Sequence, residues 1–313
     1  MRYGSPDRVP YFEEGIREEV LRRWRSQGMP QGLDLKRRFA TDPRVEIEPD
    51  LEPRPALDRW PTTRNGLQEF GRRLVARDPA RLPKNWNRRV RTMEKDGSVR
   101  MLRVHRGLFL SMGVHRWDRF YDLMLELGEN PRRVHAAMQI QGEFSAALTE
   151  RILADTPIEA AIFSEPIGGN DRPLISPDMY EEIVLDSYRP VLQVLRRHGV
   201  ETIIFRTYAN ARILIPRILK YGFNCLWACE VNIDAMDYRS LRREFGRELR
   251  LIGGIDLDAL RFGKQRIYRE VREKVPPLLQ QGGYVPLADG RVRADVPYEN
   301  YLYYRQLLEA CTA

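Results

Sequence analysis

The sequence predicts an α/β protein, and within that class a (β/α)8 TIM barrel. Three observations lead there. In the second half, short and continuously apolar runs alternate with stretches of helical period, the pattern of parallel strands covered on both faces and joined by right-handed crossovers. No Gly-rich phosphate loop follows any run: the GGN and GGID turns lack the dinucleotide-binding spacing, which favours a closed barrel over an open doubly wound sheet. Polar residues end the successive runs, as they do where strand ends face one shared site.

The elements follow in order. Strands are expected at 158–163 (IEAAIF), 201–205, 225–231 (CLWACEV), 249–256 (LRLIGGID) and 283–289 (GYVPLAD). Helices are expected between them, at 177–198, 211–221, 238–245 and 265–280, with a last one at 299–310. The first half is less regular. Residues 8–12 read as a first strand and 16–27 as an amphipathic helix. The tract 30–100 is rich in proline and arginine and reads as an irregular capping segment, with Trp60, Phe70 and Trp86 to anchor it. Asp96-Gly97 between alternating residues signals a hairpin, and GLFLSMG reads as a strand end leading to His115. Helices are expected at 118–127 and 130–153. Residues 1–313 are expected to form a single barrel domain.

Composition narrows the functional classes. The chain has 313 residues, 42% of them hydrophobic, enough to bury a core without disulfides or metals. Three cysteines, Cys225, Cys229 and Cys311, imply no disulfide framework and a reducing cytoplasm. The N-terminus lacks an apolar segment of leader length and no apolar stretch approaches 18 residues, so neither secretion nor membrane insertion is expected. The net charge of +8 invites a nucleic-acid reading, but arginines are interleaved with acids along solvated faces and no nucleic-acid motif is present. Nucleic acid is not an expected partner; a small anionic molecule is, and a homodimer is compatible.

The candidate site residues come from the strand ends: Glu165, then Arg206 with Tyr208 and Asn210, then Glu230, Asp256, and Asp289 with Arg291. Arg206 and Tyr208 suit a substrate carboxylate and a proton donor, because a guanidinium fork pairs both carboxylate oxygens. The competing expectation is an internal ion pair of Arg206 with Glu165 or Glu230. Asn210 stands where it can cap a helix beginning at 211. The acids could serve as general acids and bases, hold a hard cation, or cap helices. Cys225 and Cys229 share a strand face without histidines nearby, so space filling is expected rather than zinc. His115 is a possible wall of the site; His135 and His198 fall on helices.

The segments FSEPIGGNDRPLISPDMYEEI, FRTYANARILIP, ACEVNIDAMDYRSL, LIGGIDLDAL and GGYVPLADGRV occur in the order of the uroporphyrinogen decarboxylase superfamily, which this chain resembles over roughly residues 100–313. The resemblance implies a (β/α)8 barrel and either a decarboxylase or a corrinoid-dependent methyltransferase. The departures are specific. The stretch VPYFEEGIREE lacks the arginines with which the decarboxylases grip propionates, and their Gly-His-Gly histidine falls on Gly290. The methyltransferases' zinc-binding His-x-Cys falls on Arg206-Thr207-Tyr208. The resemblance therefore implies a lyase or decarboxylase acting on an anionic carboxylate other than uroporphyrinogen. Tyr208, Glu165 and Asp289 would be catalytic, and Arg206, Asn210, Glu230, Asp256, Arg291 and His115 would bind substrate. No metal or cofactor is expected. The alternatives are a methyltransferase-like enzyme partnered by a corrinoid protein, and a noncatalytic binding barrel.

Overall fold

The computed structural model describes Tyr3 and residues 8–57, 60–229 and 236–312. The chain divides into two compact units, one of Pro43–Thr207 with Ala211–Asn224, the other of Met1–Asp42, Tyr208–Asn210 and Cys225–Ala313. Among the described residues there are seven strands, all parallel to their neighbours within each unit, separated by helices. This is the α/β alternation expected.

The first unit carries β1 (Arg44–Ile47), β2 (Val99–His105), β3 (Ala160–Glu165) and β4 (Thr202–Tyr208, its last residue assigned to the other unit). They pair in sequence order, with Glu46 opposite Met101, Met101 opposite Ala160, and Ser164 opposite Arg206. The cores of β3 and β4 are buried throughout, as their apolar runs require. The sheet is curled. In a flat one, three steps of about 4.8 Å would hold β1 and β4 roughly 14 Å apart, with side chains standing perpendicular. Here Arg206 on β4 reaches Glu46 on β1 directly, so the two side chains converge over a concave face.

Several expectations in this unit give way. The tract 30–100 is not irregular: it contains β1, the start of β2 and helices at Arg64–Arg72 and Trp86–Asp96. Asp96-Gly97 ends a helix rather than turning a hairpin. Gly97 sits in the left-handed region at φ 64°, which a helix C-terminus and a tight hairpin both demand, and β2 then pairs in parallel. GLFLS is a short helix, Gly107–Ser111, not a strand end. The helix expected at 177–198 is composite. Ser176 caps Pro177–Met179, a π turn spans Tyr180–Leu185, and regular helix resumes at Arg189–Arg197. Behind it Gly142 allows close approach, since a Cβ there would lie 2.0 Å from the Ser187 carbonyl oxygen.

The other unit carries β5 (Cys225–Cys229), β6 (Arg250–Gly253) and β7 (Tyr284–Val285), paired in that order. β6 ends at Gly253, where φ turns to 100° and Gly254 follows at 85°; pairing resumes only as an Ile255–Ala288 bridge. Pro286 ends β7, having no N–H for the ladder. Residues 8–12 are not a strand; Pro10 interrupts them, and Ile16 makes an isolated parallel bridge to Val292 instead. The helix Glu18–Ser26 buries Val20, Leu21 and Trp24, and the Trp24 indole N–H donates to the Val296 carbonyl at 2.8 Å. Long helices at Lys264–Gln281 and Tyr298–Thr312 complete the unit. No helix among the described residues is long and apolar enough to cross a membrane.

Candidate functional site

In the first unit the concave face gathers two arginines and two acids. Arg206, buried, donates from Nη1 and Nη2 to Glu46 Oε2 and Oε1 at 3.0 and 2.8 Å, a fork-to-fork pair. Arg103 Nη2 reaches Glu46 Oε1 and Glu48 Oε1, both at 2.8 Å. Burial works to raise the Glu46 pKa, but Arg206 and Arg103 outweigh it and hold the carboxyl below its ordinary value. Arg206 therefore takes part in an internal ion pair, with Glu46; of the two partners weighed from the sequence, Glu165 accepts from Leu108, Tyr188 and Tyr180, and Glu230 lies outside the described residues. Sequence reasoning missed Glu46 and Arg103. The alternation in Arg44-Val45-Glu46-Ile47 was the available signal, obscured by a proline on either side at 43 and 49.

Glu165, at the end of β3, is fully buried. Its Oε1 accepts from the Leu108 N–H at 2.9 Å, and its Oε2 from the Tyr188 and Tyr180 hydroxyls at 2.5 and 3.4 Å. The π turn begins at Tyr180 and leads to Tyr188, and both hydroxyls meet one carboxyl. Burial pushes the Glu165 pKa up to about 7, against the three donors. Beside it His105 is also fully buried. Its Nδ1 accepts from the Gly107 N–H at 3.0 Å, and burial together with Arg106 lowers its pKa to about 3. Its ring lies 4.5 Å from that of Tyr188. The histidine is thus neutral. Gly107, at φ 80°, closes the cluster; a Cβ there would lie 2.6 Å from Glu165 Oε1.

His115 lines an open pocket of 570 Å³ together with Glu52, Trp60, Ser111 and Arg119 among the described residues. Its Nε2 is 3.9 Å from Glu52 Oε1. His135 and His198 are helix-surface residues paired with Asp186 at 3.2 Å and Glu150 at 2.8 Å.

In the other unit, Asp256 caps the short helix Leu257–Arg261 by accepting from the Asp258 N–H at 2.8 Å. Burial raises its pKa; Glu270 and Asp258 push the same way, against that N–H. Asp289 Oδ1 accepts from the buried Leu257 N–H at 2.9 Å. Arg291 is exposed, Asn210 half-buried, and Tyr208 38% exposed. The helical segment near 211 begins at Arg212, so Ala211, not Asn210, holds the capping position. Glu230 lies outside the described residues.

One acid in this unit was not singled out from the sequence. Glu13 accepts from the Tyr304 hydroxyl at 2.6 Å and from the Ala288 backbone N–H, one residue before Asp289. Burial of its carboxyl raises its pKa to about 7, outweighing Tyr304 and Arg305. Among the described residues no three His, Cys, Asp or Glu side chains converge as a metal would require. Cys225 and Cys229 are buried, and burial pushes the Cys225 thiol up to about 12.

The family model described as Uroporphyrinogen decarboxylase (URO-D) matches residues 114–303, more than half of the chain. No curated protein matches it.

Proposed function

The chain belongs to the uroporphyrinogen decarboxylase family, and from that premise we propose that it is an enzyme performing lyase-type proton chemistry on an anionic carboxylate other than uroporphyrinogen. The observation that carries this reading is a fully buried carboxyl at a strand end, Glu165, which burial keeps protonatable near neutral pH, at about 7. In such a reaction the bond from carbon to the carboxylate breaks and CO2 leaves. The electron pair stays on carbon, which takes a proton from an acid of the site. Tyr208, Asp289 and the buried Glu165 are the proposed proton-handling residues. Arg206, fixed by Glu46, supplies a stationary positive charge toward the substrate carboxylate. Asn210, Glu230, Asp256, Arg291 and His115 are proposed to contact the remainder of the substrate.

The test offers uroporphyrinogen and a panel of smaller aryl and heteroaryl acetates in D2O, following CO2 release and deuterium on the product carbon. Uroporphyrinogen should turn over far below the ordinary enzymatic rate of about 1 per second, because VPYFEEGIREE presents a single arginine. A smaller carboxylate should release CO2 with deuterium retained, and Tyr208→Phe should slow it. Methyl transfer to a corrinoid protein, with no CO2 from any carboxylate, would replace this reading with the other branch of the family.

A further inference from the structure

We infer that the groove between the helix start at Trp86 and the helix Pro131–Asp155 binds a small molecule carrying two or more phosphate groups. The inference does not depend on the carboxylate chemistry proposed above, and none of the residues proposed for that chemistry lines the groove. The groove is open, and its volume of 890 Å³ lies in the upper part of the range that small-molecule sites occupy. It is lined by Arg54, by parts of the stretch 79–91 and by Arg151, all within the first unit.

Charge selects the ligand. Five cations line the groove, Arg54, Lys84, Arg88, Arg91 and Arg151, and no acid does among the described residues. Arg54 is matched to Asp50 at 2.8 Å. Lys84, Arg88 and Arg91 are exposed and make no ion pair among the described residues. The nearby acids are engaged otherwise. Asp155 accepts from the Trp86 indole N–H at 2.6 Å, and Asp78 from the Ala80 N–H at 2.9 Å. Four cations thus share one concavity without a counter-charge, more than a monoanion can balance.

Arg151 is the least exposed of the unmatched cations that hold this charge. It is half-buried on the long helix, and its Nη1 donates to the Ala76 and Asp78 carbonyls, both at 2.9 Å. No carboxylate lies within ion-pair distance of it among the described residues. A charge withdrawn from water is ordinarily paired; here carbonyls fix the guanidinium in place and leave its charge uncompensated. The backbone adds donors. Asn85 precedes the helix Trp86–Asp96 in the left-handed region at φ 57° and supplies no side-chain cap. The Trp86 and Asn87 N–H groups, at the positive end of that helix, therefore have no acceptor among the described residues. Guanidinium forks beside free amide N–H groups form a donor set that phosphate oxygens fit, and cations spread along the groove match more than one phosphate.

The test is calorimetric titration of the full chain with phosphate, pyrophosphate, tripolyphosphate and citrate, in about 150 mM salt to screen non-specific attraction. Pyrophosphate should bind at least about 10-fold more tightly than phosphate, the gain expected of one further charge-assisted contact, and more tightly than citrate. Arg88→Gln combined with Arg91→Gln should weaken pyrophosphate at least about 10-fold. Both residues are exposed on their helix, so this variant should fold, which melting curves verify. Arg151→Gln should weaken binding as well. Arg22→Gln combined with Arg25→Gln makes the same change of net charge on another exposed helix face and should leave the affinity as it was. Four results would overturn the inference: no pyrophosphate binding up to about 10 mM, citrate bound as tightly as pyrophosphate, unchanged affinity in the Arg88/Arg91 variant, or a single-stranded oligonucleotide of about 20 residues bound more tightly than tripolyphosphate, which would make the groove a nucleic-acid track.

Discussion

Glu46→Gln removes the charge from the partner of Arg206 while keeping its shape. The pair is enclosed, with side chains 18% and 8% exposed, so solvent screens it little. Removing one member of a buried ion pair typically costs about 3–5 kcal/mol, because the other charge is left uncompensated. Gln retains one carbonyl acceptor for the fork, and Arg103 loses a partner but keeps Glu48, so the low end, about 3 kcal/mol, is expected. For a protein of this size each kcal/mol shifts the melting temperature by roughly 2–4 °C, giving a fall of about 6–12 °C. Calorimetry at neutral pH reads it directly. Glu48→Gln is the control: its carboxylate is 54% exposed, and such pairs contribute about 0–1 kcal/mol. The pH dependence has a definite sign. The folded-state pKa of Glu46 lies below its ordinary value of 4.5, so its contribution is present above that value and lost as pH falls through the depressed pKa. The gap between wild type and Glu46→Gln should therefore be full at pH 7 and shrink in acid. Formate should recover more stability in the variant than in wild type by occupying the vacated fork. A gap under about 2 °C at neutral pH, or one that widens in acid, would refute the reasoning.

Glu165 should show the opposite slope: its pKa rises from 4.5 to about 7 on folding, so stability is full below about pH 4.5 and lost as pH climbs through 7. Urea titrations at several pH values should show wild type losing on the order of 3 kcal/mol that Glu165→Gln does not lose; parallel curves for the two would contradict the burial. Gly107→Ala should cost at least about 2 kcal/mol, since its Cβ would strike both Glu165 Oε1 and the Ser164 carbonyl; a neutral result by the same titration would mean the loop sits elsewhere. Elemental analysis of purified protein should find no stoichiometric zinc; one zinc per chain would direct attention to Cys225, Cys229 and the histidines.

What the sequence made legible was position, and what it concealed was pairing. β3 and β4 could be read because IEAAIF and TIIF are uninterrupted apolar runs, and the polar residues after them had to stand at strand ends. β1 could not. It is four residues long, sits between prolines in an arginine-rich tract, and shows too little alternation to outweigh them. With β1 unseen, Glu46 was unseen, and Arg206 was matched to the acids on visible strands. Asp96-Gly97 was ambiguous for a different reason: helix ends and hairpin turns both require a left-handed residue, and only tertiary pairing decides between them. The π turn had no local signature either; it follows from Gly142 admitting the Ser187 carbonyl and from two tyrosines converging on one carboxyl. The case of Arg206 joins these points. A guanidinium carried by a buried strand needs a counter-charge whether or not it binds a ligand, so finding it at a strand end cannot separate the two roles. A counter-ion of Arg206, Glu46, lies 160 residues away in the chain, beyond any periodicity. Once that partner is known the roles do separate: a purely structural arginine loses only stability with Glu46, whereas one that also reads carboxylates becomes open to formate.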